Sequence, residues 1–149
     1  MLKGLDTVLN ADVLHAIKSA GHADEIVISD LNFPSDSVAR QTVLGRLLRM
    51  ENISSPRAIK GILSLMPLDS FVEHGALRMQ VDGAPDELPP VQREVQAEID
   101  AAEGRSCPLG SIGRMEFYER ARKAYCVIQT GENRFWGCII LKKGVIPPS

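Results

Sequence analysis

The side chains best suited to chemistry in this chain are a histidine, a carboxylate and an arginine, namely His22, Asp30 and Arg114. A histidine exchanges protons near neutral pH, because its ordinary pKa is about 6.5. A carboxylate and a guanidinium form charge-assisted hydrogen bonds with polar ligands. Together they suit proton transfer on a polyhydroxylated or anionic small molecule. The alternatives are an exposed loop histidine, an exposed turn aspartate, and an arginine paired with Glu116 or Glu119.

A second candidate group is the tripeptide Trp136, Gly137 and Cys138 near the end of the chain. A tryptophan can stack on the apolar face of a sugar or donate its indole N–H. A glycine lets a ligand approach the backbone. If residues 135–141 form a strand, Trp136 and Cys138 share one face of it and Gly137 faces away. The alternative for Trp136 is simple packing of the sheet.

Other kinds of chemistry are not indicated. The sequence has no phosphate-binding loop, dinucleotide fingerprint, nucleophile elbow or zinc-ligand spacing. Its three cysteines, Cys107, Cys126 and Cys138, are odd in number and widely spaced, unlike a disulfide framework. Cys126 lies in an apolar segment and is predicted to be an inert core residue. A reducing, cytoplasmic location is therefore expected.

Length and charge favour one domain, covering residues 1–149. The net charge is −2 and the basic residues are scattered, which argues against a nucleic-acid partner. No apolar segment approaches the roughly 20 residues that a membrane span needs. The first six residues lack the apolar core of a signal peptide.

The segment from Gly21 to Asp30 indicates how the candidate residues are positioned. Gly21 is predicted to end a helix, and residues 26–28 form a continuous apolar segment typical of a buried strand. Asp30 then follows the carboxyl end of this strand, where open α/β sheets bind ligands. His22 enters at the opposite end, roughly 15–20 Å away. A neighbouring element or a second subunit must therefore bring the two residues together.

The remaining pattern predicts an α/β three-layer sandwich with a mixed, mostly parallel sheet, helices on both faces and a C-terminal antiparallel hairpin. Phe33, before Pro34, is expected in an extended loop, either in a pocket wall or in the core. Ser55 is predicted to cap the second helix. Helices are expected over residues 10–21, 55–67, 90–104 and 115–124, and strands over residues 26–30, 42–48, 77–81, 125–130 and 135–141.

Several segments resemble the L-fucose mutarotase family, which is grouped with D-ribose pyranase. They are residues 1–4, 21–26, Asp30, 32–34, Arg114, 117–121, 123–124, 130–132 and 141–144. These segments span almost the whole chain, in order and at compatible spacing. The combination is far more specific than any one motif.

The resemblance implies an enzyme that interconverts cyclic forms of a monosaccharide without a metal or organic cofactor. It implies His22 as the general acid. It also implies ring-shaped homo-oligomers, commonly decamers, with sites at subunit boundaries, which would resolve the distance between His22 and Asp30. The sugar-binding residues that it implies are Asp30, Arg114, Trp136, Gly137 and Cys138.

The tripeptide departs from the family pattern, which usually has Tyr, Gly and Asn. Trp136 replaces a phenol that both donates and accepts with an indole that only donates. Cys138 replaces an amide with a thiol that forms weak hydrogen bonds. Losing a partner for a substrate hydroxyl changes discrimination strongly. This leaves open a sugar other than fucose or ribose, and a non-catalytic monosaccharide-binding protein on the same scaffold.

Overall fold

A six-stranded sheet forms the centre of the computed structural model, which describes residues 1–149. The strands are β1 (Glu25–Ser29), β2 (Leu48–Met50), β3 (Ala76–Met79), β4 (Gly110–Ile112), β5 (Cys126–Thr130) and β6 (Ile139–Lys142). The helices are α1 (Ala11–Ser19), α2 (Ser35–Ala39), α3 (Ser55–Leu63), α4 (Pro90–Glu103) and α5 (Arg114–Arg122). The strand order is β2-β5-β1-β6-β3-β4, and only β6 runs antiparallel to its neighbours.

Helices cover both faces of this sheet, as the apolar segment in β1 predicts. Ile26 and Ile28 pack into a core cluster with α1, α3 and α4, whereas Val27 packs into a second cluster with α2 and α5. Successive strand residues point to opposite faces, so a strand covered on both sides is apolar at every position. The predicted mixed sheet with a helical layer on each face is confirmed.

The predicted C-terminal hairpin is wrong, because β5 and β6 do not pair with each other. β1 lies between them, parallel to β5 and antiparallel to β6. The connection is a long loop rather than a tight turn, and β6 begins only at Ile139. A central strand that is apolar on both faces needs a partner along each edge, and β5 and β6 supply the two.

Helix ends follow the capping signals in part. Gly21, predicted to end the first helix, lies outside it, because α1 ends at Ser19 and its C-cap is Ala20 in an extended conformation. The Asn10 side chain accepts a hydrogen bond from the Val13 N–H at 3.0 Å and begins α1. Gly104 ends α4 in the left-handed conformation, with φ of 69°. The cap of α3 is Ser54 rather than the predicted Ser55. Both serines suit a cap, and the sequence alone does not separate them.

Short elements account for the other differences. β2 lies at Leu48–Met50 rather than within residues 42–48, and β4 forms in a segment for which the sequence predicted no strand. Both are edge strands of three residues, which is too short to show a periodic pattern. The chain also forms α2 directly after Pro34, where an extended loop was expected.

Candidate active site

A pocket of about 130 Å³ opens at the edge of the sheet where β1 ends. Four of the six predicted site residues line it: Asp30, Arg114, Trp136 and Cys138. Sheet direction explains this grouping. β1 and β4 run parallel and end at this edge, whereas β6 runs oppositely and begins here. The other lining residues are Asn32, Phe33, Met79, Tyr118 and Phe135.

Asp30 is a buried carboxylate held by backbone donors. Its Oδ1 accepts hydrogen bonds from the N–H groups of Asn32 and Phe33, each at 3.0 Å. Its Oδ2 accepts one from the Gly137 N–H at 3.3 Å. A carboxylate has about four acceptor positions, so one remains for a ligand hydroxyl.

Phe33 belongs both to the core and to the pocket wall, so both of the positions predicted for it from the sequence are correct.

Arg114 is the first residue of α5 and also lines the pocket. Its Nε donates to Asp82 Oδ2 at 2.8 Å, and the guanidinium lies 5.9 Å from the centre of the Tyr118 ring. The hydrogen bond to Asp82 raises the pKa of Arg114. The partner is therefore neither Glu116 nor Glu119. An arginine has five N–H donors, so others remain for a ligand.

Trp136 and Cys138 lie in the loop before β6, not within a strand as the sequence predicted. Trp136 adopts a left-handed backbone with φ of 67°, which is uncommon for a residue other than glycine. The side-chain amide of Gln92 donates to the Trp136 carbonyl at 3.0 Å and to the Met79 carbonyl at 2.8 Å. This buried amide thus secures the turn that directs Trp136 to the pocket.

Gly137 does not line the pocket but supports it. Its N–H donates to Asp30, and its carbonyl accepts a hydrogen bond from Ser55 Oγ at 2.8 Å. A Cβ atom at this position would lie 2.6 Å from Cγ of the buried Glu132. The glycine is therefore needed for close packing between the loop and the sheet.

Cys138 supplies a weakly polar part of the wall. Its Sγ accepts the Asp30 N–H at 3.5 Å, and only 2% of the residue is exposed. Burial, followed by the nearby Asp30 carboxylate, raises the pKa of this thiol well above its ordinary value. A neutral buried thiol is a poor nucleophile, so Cys138 suits packing against a ligand rather than covalent chemistry.

His22 lies apart from this pocket, in the turn between α1 and β1. Its Nε2 is 3.2 Å from Asp69 Oδ1, and its ring packs edge-to-face against Phe71 with centroids 5.4 Å apart. The His22 side chain is 42% exposed. The structure therefore does not bring His22 and Asp30 together within one chain, in agreement with the distance expected from the sequence.

Two buried carboxylates escaped the sequence analysis. One is Asp69, beside His22, and the other is Glu132, behind the pocket. Burial opposes ionisation of Glu132, but hydrogen bonds, chiefly from the Arg134 guanidinium and N–H, lower its pKa. Arg134 in turn binds both carboxylate oxygens of Glu94 at 2.9 Å. In the sequence, Glu132 appears only as part of the family segment 130–132, with no role of its own.

The residues offer no evident metal centre, since no three His, Cys, Asp or Glu side chains cluster in a way that could hold an ion. None of the helices combines the length and the apolar character required to cross a membrane.

The structure is that of an α/β protein with a small pocket, lined by Asp30 and Arg114 among others, at the strand-end edge of a mixed sheet. The chain belongs to the RbsD / FucU transport protein family, which it matches over residues 3–146. This confirms the family predicted from the sequence.

Proteins similar to this chain match it over nearly its full length. The fucose mutarotase of Bos taurus is 39% identical over 151 residues, covering 99% of this chain and 96% of its own. The crystal structure of protein Atu2016 has 61% identity and a TM-score of 0.96, covering 99% of this chain and 97% of that one. The fucose mutarotase of Streptococcus pneumoniae in complex with L-fucose has 35% identity and a TM-score of 0.87, covering 98% and 100%.

Proposed function

We propose that this protein is a monosaccharide mutarotase that interconverts anomers or ring forms of an aldose such as L-fucose by general acid–base catalysis. The relatives named fucose mutarotase confirm the predicted enzyme class, an isomerase. The observation that supports the assignment most strongly is the pocket, in which Asp30, Arg114 and Trp136 converge at one edge of the sheet.

The reaction requires two coupled proton movements. The anomeric hydroxyl loses a proton while the ring oxygen gains one, so the C–O bond of the ring breaks and an aldehyde forms. Rotation of the carbonyl followed by ring closure reverses both movements at the other face. General acid–base help of this kind is worth about 10²–10⁴-fold.

Each candidate residue has a role in this proposal. His22 donates the proton to the ring oxygen, since a histidine exchanges protons near neutral pH. Asp30 accepts hydrogen bonds from sugar hydroxyls and assists as a base. Arg114 binds hydroxyls through its free N–H groups and stabilises developing negative charge. Trp136 offers an aromatic face to the sugar, Cys138 forms part of the wall, and the Gly137 N–H holds the Asp30 carboxylate.

A complete site in this proposal requires two copies of the chain. His22 and the pocket lie at different places on one molecule, and apolar side chains are exposed beside each. Phe71, next to His22, and Phe135, at the pocket, are both 72% exposed. Contact between two such different surfaces is heterologous, and a heterologous contact forms a ring when the rotation between copies closes. We propose a ring-shaped homo-oligomer, with the decamer implied by the family resemblance, and retain the cytoplasm as the expected location.

Saturation-transfer NMR on anomeric protons tests the activity directly. With a panel of monosaccharides, we expect anomer exchange above the buffer rate for at least one aldose. His22→Ala should abolish this exchange while the fold and assembly persist. His15→Ala is the matched control, because His15 is an exposed histidine on α1. Wild-type exchange in folded His22→Ala protein would remove His22 from the mechanism.

The alternative is a non-catalytic monosaccharide-binding protein. The observation in its favour is the pocket wall, where Cys138 and Trp136 offer fewer hydrogen bonds than an amide and a phenol. The same experiment separates the two functions. Saturation transfer to a bound sugar, with anomer exchange no faster than in buffer, would favour the binding protein.

A further inference from the structure

We propose that Asp69 is a positioning residue that keeps a proton on His22 Nε2 and thereby assigns proton exchange with the sugar to Nδ1. This inference rests on the proposed function, because it names the atom of His22 that acts. It also has a readout that does not depend on activity.

The two side chains meet across a long sequence separation. Asp69 Oδ1 lies 3.2 Å from His22 Nε2, and the Asp69 side chain is 3% exposed. The Asp69 N–H donates to the Lys142 carbonyl at 2.9 Å, which attaches this segment to the end of β6. Asp69 Oδ1 also accepts the Phe71 N–H at 3.0 Å. These backbone contacts therefore hold the Asp69 carboxylate in place independently of His22.

The protonation of Asp69 decides which way the hydrogen bond runs. Burial opposes its ionisation, but hydrogen bonds from the Phe71 N–H and from His22 outweigh it and lower the pKa of this carboxyl. An ionised carboxylate only accepts hydrogen bonds. His22 must therefore donate from Nε2 in either protonation state. Its neutral form carries a lone pair on Nδ1, and its protonated form carries there the proton that it gives to the ring oxygen.

The backbone around His22 is also fixed. The Gly21 N–H donates to Asp24 Oδ2 at 2.7 Å, and the Ala23 N–H donates to the Lys143 carbonyl at 2.8 Å. The Phe71 ring packs edge-to-face on the imidazole. A histidine whose second nitrogen is held by a carboxylate keeps one tautomer and one ring orientation. The partly exposed ring then presents Nδ1 as its free nitrogen.

Two substitutions separate the charge of Asp69 from its hydrogen bond. Asp69→Asn retains an Oδ1 that accepts from both His22 and the Phe71 N–H, whereas Asp69→Ala removes the acceptor. Nitrogen-15 NMR of labelled histidine reports the tautomer, and the signal missing from His22→Ala protein identifies His22. We expect the Nε2–H tautomer in the wild type and in Asp69→Asn, and a mixture of tautomers in Asp69→Ala.

The exchange rate should also fall, and it should fall further in Asp69→Ala than in Asp69→Asn. At metal sites, loss of the partner that orients a ligating histidine typically costs about 10–100-fold, and we expect an effect of similar size here. We expect the rate at saturating sugar to fall on the order of tenfold in Asp69→Asn and on the order of 100-fold in Asp69→Ala, with KM nearly unchanged. Glu73→Gln is the matched carboxylate-to-amide control, because Glu73 is exposed and its Oε1 lies 3.6 Å from Nε2 of His74, not of His22.

A double variant distinguishes positioning from general structural support. In the His22→Ala background, Asp69→Ala should leave sugar binding, measured by saturation-transfer NMR, unchanged, whereas a structural role would weaken it. An active wild type with unchanged tautomer and rate in both Asp69 variants would overturn the inference alone. A wild type that exchanges no aldose faster than buffer would overturn the proposed function, while the tautomer measurement still tests the His22–Asp69 contact.

Discussion

Cys138 and Trp136 are the residues that give this pocket its own character. The Cys138 thiol is directed at the Asp30 N–H, so it has little hydrogen-bonding capacity left for a ligand. Met79 and Phe33 line the same pocket and add further apolar surface. A sugar bound here would meet one stacking face and a weakly polar wall. Such a wall favours a ligand with an apolar group or a missing hydroxyl at that point.

Replacing both residues should change sugar preference. We expect Trp136→Tyr with Cys138→Asn to shift preference towards L-fucose by about 1–3 kcal/mol, the size of a hydrogen bond to a buried polar group. Anomer exchange of fucose, galactose, ribose and rhamnose in both proteins measures the shift. If both residues only pack the structure, the ranking of sugars stays unchanged while the melting temperature falls.

At the scale of elements, α4 supports the pocket through one buried amide. Gln92 is fully buried, and it connects the end of β3 to the loop that carries Trp136. Arg78 donates to the Gln92 Oε1 at 3.3 Å and to the Pro85 carbonyl at 2.7 Å. These polar contacts therefore join α4, β3 and the loop before β6. They fix the direction of Trp136, which apolar packing alone would not set.

Removal of this amide should loosen the loop. Gln92→Leu leaves the carbonyls of Met79 and Trp136 without their donor, and an unsatisfied buried group costs about 1–3 kcal/mol. We expect urea unfolding to show a loss of that order and the sugar affinity to fall. Ala97→Leu, at an exposed position of the same helix, is the control. An equal loss in both variants would contradict a specific role for the amide.

The N-terminal segment is attached to α3 by an ion pair whose effect depends on pH. Asp6 binds two nitrogens of Arg57, at 2.7 and 2.8 Å, and this hydrogen bonding lowers the pKa of Asp6 from 3.8 to about 2. A carboxyl with a lowered folded-state pKa contributes stability above its unfolded pKa and loses it as the pH falls through the folded value.

Asp6→Asn tests this linkage. At pH 7 we expect it to lower the free energy of unfolding by about 1–2 kcal/mol, after allowance for solvent screening. The difference from the wild type should disappear as the pH falls from 3.8 towards 2. Asp12→Asn breaks the more exposed pair with Arg46 and should change little. A constant difference at all pH values would contradict the assignment.

Sequence patterns predicted the elements that have strong local signals. Asn10 and Gly104 mark real helix ends, and the apolar segment of β1 indicates a strand covered on both faces. The pairing of β1 between β5 and β6 was missed, because sequence neighbours are not always sheet neighbours. The site was predicted at Asp30 from its place after the strand, whereas Asp69 was missed because its partner is 47 residues away.

At the scale of the whole molecule, the proposed catalytic acid and the proposed sugar pocket occupy different surfaces. Each surface carries an exposed phenylalanine, Phe71 beside His22 and Phe135 at the pocket. Light scattering should therefore give a mass several times the 16.3 kDa of one chain. An active monomer would contradict a site shared between copies.

Mixed assemblies test the shared site most directly. His22→Ala and Asp30→Asn proteins should each be inactive alone, because every interface lacks one partner. After joint dissociation and reassembly at equal amounts, a random head-to-tail ring places an intact His22 against an intact Asp30 at about a quarter of its interfaces. We expect exchange to recover to about that fraction of the wild type. Mixing His22→Ala with the His22→Ala/Asp30→Asn double variant is the control, since no interface then contains His22. If mass spectrometry shows that the rings are mixed but exchange does not recover, His22 and Asp30 do not act together in one site.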